Sequence, residues 1–78
     1  MNPHTVKIYS TPNCPYCLRA KAYFDSQGIS YENIDVSISR EGLEEMVKIS
    51  GQMGVPVIVI DGQMVIGFDK TKLDELLA

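Results

Sequence analysis

Residues 57 to 60 read Val-Ile-Val-Ile and run straight into Asp61-Gly62. A short, continuous β-branched run suits a strand buried on both faces rather than one. Asp-Gly is a strong signal for a tight hairpin turn, so QMVI, residues 63 to 66, is expected to return as the next strand. TVKIY, residues 5 to 9, alternates and is rich in β-branched and aromatic residues, which predicts a further strand. SYENIDV, residues 30 to 36, is expected to be another.

Between the strands the period changes. Pro15 can open a helix because its missing amide hydrogen would have no partner there. The helix is expected to run to about Gln27 with Leu18, Ala22 and Tyr23 on one face, and Gly28 closes it. Leu43, Met46, Val47 and Ser50 fall at helical spacing, with Ser39 as N-cap and Gly51 as terminator. Asp69 caps a short last helix carrying Leu73, Leu76 and Leu77. The order β-α-β-α-β-β-α predicts an α/β fold: one mixed four-stranded sheet flanked by three helices that cover both its faces.

At 78 residues the chain reads as a single domain spanning 1–78. The net charge of −3, with seven scattered Lys and Arg, argues against a nucleic-acid partner. MNPHTVKIYS, the first ten residues, holds no apolar run of signal-peptide type. The longest apolar run, Val55 to Ile60, is far below the ~20 residues of a membrane helix. No membrane partner and a cytoplasmic location are therefore expected.

The only two cysteines, Cys14 and Cys17, are three positions apart within STPNCPYCLRA. A structural disulfide, half a metal site and a reactive dithiol compete for them. A cytosolic compartment disfavours a permanent disulfide. A zinc site wants four ligands, and only His4, which reads as a solvated terminal residue, could join the two thiols. A CxxC beside a β-α-β pattern is itself a redox signature. With Pro15 first in the helix, Cys14 is the N-cap. A thiolate there faces free amides and the positive end of the helix dipole. Cys17, nearer the core, is expected to stay protonated longer. Cys14 would then attack a disulfide and Cys17 would resolve the mixed disulfide. Pro15 stiffens the turn, and Tyr16 offers aromatic surface beside the sulfur.

With these residues in place the chain resembles the glutaredoxins of the thioredoxin-like superfamily. CPYC, residues 14 to 17, is the dithiol motif of that family. GVPVIVIDGQ carries Val55-Pro56 where the family has Thr-Val-Pro, and GFD carries Phe68-Asp69 where it has Cys-Asp. The likeness runs from about Val6 to Leu77. It implies a thioredoxin-like fold, a cis Pro56 lying against the dithiol, and a Val55 backbone that pairs with the substrate's cysteinyl residue. It also implies that the Phe68 and Asp69 amides hold the γ-glutamyl carboxylate of glutathione, although Asp69 also suits a plain N-cap.

Two positions depart from the family pattern. Thr11 stands where a Lys or Arg commonly meets the glycyl carboxylate of glutathione, and Ile66 stands where a second Gly is usual. Arg19 and Lys21 read as solvated face or partner contact, with Arg19 turned away from Cys14. These departures bring the chain nearer to short glutaredoxin-like redoxins. That likeness implies a protein-disulfide reductase with no tightly bound cofactor and with glutathione as reductant or co-substrate. Its partners would be disulfide-containing proteins such as ribonucleotide reductase or a peroxiredoxin, its electron donor thioredoxin reductase or glutathione, and its state monomeric. The alternative is an iron-sulfur cluster carrier using Cys14 and glutathione in a dimer. Pro15-Tyr16 argues against that, because cluster-binding relatives usually have Gly-Phe there.

Overall fold

The structure, a computed structural model, describes residues 4 to 77. In chain order its elements are β1 (Val6–Ser10), α1 (Pro15–Ser26), β2 (Glu32–Asp35), α2 (Arg40–Ser50), β3 (Val57–Ile60), β4 (Gln63–Ile66) and α3 (Lys70–Leu77). The four strands form one sheet in the order β2-β1-β3-β4. β1 and β2 run parallel, joined through α1, while β1–β3 and β3–β4 are antiparallel. The mixed four-stranded sheet with three helices is the architecture the element order predicts.

The β-branched run of β3 explains the layering. Successive strand residues face opposite sides of a sheet. Ile58 and Ile60 enter one core with Val6, Ile8, Ala20, Phe24, Val65 and Leu73, beneath α1 and α3. Val57 enters a second core with Tyr9, Val36 and Met46 beneath α2, flanked by Leu43 and Val59. Fully burying such an aliphatic or aromatic side chain contributes roughly 1.5–3 kcal/mol. A sheet one residue thick thus serves two cores.

The boundaries hold where caps define them. Ser39 Oγ accepts from the Gly42 amide at 3.0 Å, and Gly51 ends α2 at φ 71°. Asp61 and Gly62 both have positive φ, 51° and 86°, as a type I′ hairpin requires.

Three expectations need correcting. The buried face of α1 is Cys17, Ala20 and Phe24; of Leu18, Ala22 and Tyr23, only Tyr23 packs against the core, and in part. Leu18 is 56% exposed, Ala22 is exposed and Tyr23 is half-buried. The face is set by the turn that places Cys14 and Cys17 together, and Leu18 lies about 100° further round the helix from Cys17. Next, β2 is shorter than residues 30 to 36. Its end coincides with the Asp35 carboxylate capturing the Ser37 amide at 2.9 Å, which turns the chain away from the sheet. Finally, His4 is not simply solvated. Its Nδ1 lies 2.5 Å from Asp61 Oδ2, while the Thr5 amide donates to Asp61 Oδ1 at 2.8 Å.

Candidate active site

The strand β1 ends at Ser10, and residues 11 to 13 carry the chain to the start of α1. Cys14 is extended (φ −98°, ψ 110°) and is the N-cap, with Pro15 at the first helical position. Its sulfur accepts a hydrogen bond from the Cys17 amide at 3.2 Å, while its carbonyl accepts from the Leu18 amide at 3.1 Å. The sulfur thus occupies the place of a capping oxygen and faces the helix N-terminus, where negative charge is favoured.

Opposite it runs the segment before β3. The Val55–Pro56 peptide is cis, and the Cys14 thiol donates to the Val55 carbonyl at 3.8 Å. Pro56 is buried, and its carbonyl accepts from the Gly67 amide at 2.8 Å, which ties the loop to the far end of β4. A further clamp fixes the approach to Val55. The Gln52 side-chain amide donates to the Gly54 carbonyl at 3.0 Å and its oxygen accepts from the Gly54 amide at 2.5 Å. Nothing in the sequence signals that clamp.

The two thiols are free and differ in surroundings. Cys14 is 9% exposed and Cys17 is fully enclosed. Burial, then the hydrogen bond to Cys14, pushes the Cys17 thiol up to about 11; the Thr11 backbone amide and the Lys21 charge oppose that rise. Thr11 is half-buried in the loop between β1 and α1. His4, held by Asp61 at the β3–β4 turn, is not a third ligand for the pair.

The remaining predicted residues divide. Tyr16 is 57% exposed beside the dithiol, and the Arg19 guanidinium carbon lies 5.4 Å from its ring centroid. Arg19 is thus folded over the ring three residues before it, an i, i+3 pair on α1. The Phe68 side chain packs edge-on against Tyr23, with ring centroids 6.0 Å apart, and joins the α1–α3 core. Asp69 behaves as an N-cap: its Oδ1 accepts from the Lys72 amide at 3.2 Å and its carbonyl from the Leu73 amide at 2.9 Å. Among the described residues the Phe68 and Asp69 amides meet no acceptor.

A dithiol at a helix N-terminus, facing a cis-proline loop that leads into a central strand of this mixed sheet, defines a thiol-disulfide oxidoreductase of thioredoxin-like architecture. The glutaredoxin family model matches residues 6 to 65. A glutaredoxin-like 8.6 kDa protein in the rubredoxin operon of Clostridium pasteurianum is 44% identical over 72 residues, covering 92% of this chain and 96% of that protein. Glutaredoxin 3 of Escherichia coli K12 is 44% identical over 64 residues, 82% of this chain and 77% of its own. The glutaredoxin of Archaeoglobus fulgidus superposes with a TM-score of 0.81 at 32% identity, over 91% of this chain and 83% of that one. A buckwheat glutaredoxin solved with glutathione superposes at 0.77 and 27% identity, over 95% and 76%. The chain belongs to the glutaredoxin family.

Proposed function

We propose that this glutaredoxin is a protein-disulfide reductase in which Cys14 attacks and Cys17 resolves. The observation that carries the reading is the asymmetry of the pair. One sulfur caps the helix and accepts an amide hydrogen bond, while the other is enclosed and held protonated at neutral pH. The Cys14 thiolate attacks one sulfur of a substrate disulfide, the S–S bond breaks, and the departing thiolate takes a proton. The Cys17 thiol then gives up its proton and attacks Cys14. The second substrate thiol leaves, and two electrons have passed to the substrate as the Cys14–Cys17 disulfide forms. Val55, ahead of Pro56, supplies the backbone against which an extended substrate segment aligns.

The protein partners are disulfide-containing enzymes such as ribonucleotide reductase or a peroxiredoxin, met by a monomer in the cytoplasm. Glutathione is a weaker reductant here than a flavoprotein of the thioredoxin-reductase kind. Support for that order comes from Thr11, which brings no positive charge to the rim. A missing charge-assisted hydrogen bond of ~1.5–3 kcal/mol corresponds to roughly 10- to 150-fold in affinity. The unpartnered Phe68 and Asp69 amides still suit a carboxylate, and the buckwheat relative was solved with glutathione. NADPH oxidation in two coupled assays, one per donor system, tests the reading. Turnover with the reductase should exceed turnover with glutathione. Turnover with glutathione alone would reverse the assignment of the donor.

A further inference from the structure

Among the described residues three of the seven Lys and Arg side chains, and His4, have a carboxylate within 4 Å. Lys7 lies near Glu45, Arg40 near Glu44, Lys70 near Asp74, and His4 near Asp61. Arg19 is different. Among the described residues no carboxylate lies within 4 Å of it, and its guanidinium instead lies over the face of Tyr16. Tyr16 lies with Pro15 between the two cysteines in sequence and is more than half exposed, so this cation stands on an exposed ring in the first turn of the dithiol helix.

Stacking leaves the guanidinium's work undone. An arginine on an aromatic face holds its plane still, and its N–H donors point outward along the edges. Those donors fit a carboxylate in a forked pair. The first two turns of α1 reinforce the site, since residues 15 to 22 carry Arg19 and Lys21 and no acid. The whole chain is nonetheless at −3, so an acidic substrate gains nothing from the net field. Any preference for it must come from this local charge.

We propose that Arg19, held on the Tyr16 ring, receives a carboxylate of the disulfide-bearing substrate and sets a preference for acidic disulfides. The inference rests on the disulfide-reductase reading and adds the charge class of the substrate. The carboxylate can belong to an acidic side chain beside the substrate cysteine or to glutathione itself.

The test compares disulfide-bridged peptides of one length that carry Asp, Asn or Lys beside the bridged cysteine. Glutathione disulfide and its fully amidated form make a second pair. In the wild-type protein kcat/KM for the Asp peptide should exceed that for the Asn peptide by about three- to tenfold. That range lies between an exposed ion pair and a modest charge-assisted hydrogen bond. Arg19→Gln should bring the ratio to near one, chiefly through KM, and Arg19→Glu should favour the Lys peptide. The wild-type ratio should also shrink in ~0.5 M salt. Loss of the ratio in the peptide pair assigns the carboxylate to a protein side chain, and loss in the glutathione pair assigns it to the tripeptide. A wild-type ratio near one, or an equal fall of Arg19→Gln on every substrate, overturns the proposal. If no disulfide is turned over at all, the reductase reading fails. In that event the shift of the Arg19 Nε–H resonance on titration with the same peptides decides: selective movement with Asp upholds the site, and none removes it.

Discussion

The Cys14 sulfur lies 3.2 Å from the Cys17 amide nitrogen, so the two thiol residues share one helical turn. The same sulfur meets the Val55 carbonyl at 3.8 Å. The first contact needs only a sulfur acceptor and the second needs the S–H proton, so a Cys14 thiolate keeps the first and loses the second.

The first prediction follows from that placement. Cys14→Ser should abolish disulfide reduction, because no thiolate remains at the helix N-terminus. Cys17→Ser should still attack and then stall as a mixed disulfide on Cys14. Intact-mass analysis after exposure to a disulfide peptide reads both. An adduct on Cys17 in the Cys14→Ser protein would reverse the roles.

Cys17 gives a second prediction. Its burial and its thiol value of about 11 leave it protonated and enclosed at neutral pH. Iodoacetamide at about pH 7.5 should label Cys14 first, with Cys17 labelled only after denaturation or at strongly alkaline pH. Peptide mapping by mass spectrometry gives the order. Equal labelling of both sites in the folded protein would refute the enclosure.

A third prediction concerns pH and the opposite end of β3. The hydrogen bond that His4 donates to Asp61 raises the His4 value above 6.5 and lowers that of Asp61 below 3.8. A raised histidine contributes stability that is complete below 6.5 and is lost as pH rises through its folded value. A lowered aspartate contributes stability present above 3.8 and lost as pH falls through its own. The pair should therefore matter most between those two values. Urea midpoints of the wild type and His4→Ala should differ at about pH 5.5 and converge at about pH 9. The same gap at both pH values would show that packing, not charge, is responsible.

The layered sheet was legible because Val57 to Ile60 admits few arrangements and Asp61-Gly62 admits few turns. The Cys14 cap was legible because Pro15 marks a helix start. What escaped depends on side chains reaching across space. The face of α1 was misread because Leu18 looks like a core residue until the dithiol turn orients the helix. The contact of Arg19 with Tyr16 escaped because helical geometry fixes where its Cβ points and leaves the long side chain free to fold onto the ring. His4 finds Asp61 only once β3 and β4 have turned beside β1, a pairing 57 residues apart in sequence.

Gly42 supplies the last prediction, because two effects there have opposite signs. In a helix interior, Gly→Ala ordinarily stabilises by roughly 0.5–1 kcal/mol. Here a Cβ would stand 2.5 Å from Ile34 Cγ2 and 3.1 Å from Ser39 Oγ, the oxygen that caps α2. Overpacking of this kind costs about 1–3 kcal/mol, and a disturbed N-cap about 1 kcal/mol. Ile34 is only half-buried on the edge strand β2, so it can move outward and relieve part of the clash. The steric cost still outweighs the helical gain, and Gly42→Ala should destabilise by about 1 kcal/mol, or about 4–8 °C in Tm for a chain of this size. Ile34→Ala removes the obstructing methyl. In that background Gly42→Ala should cost less than it does alone, a coupling that a double-mutant cycle on urea midpoints measures. A Gly42→Ala protein more stable than the wild type would show that α2 does not press on β2 at this point.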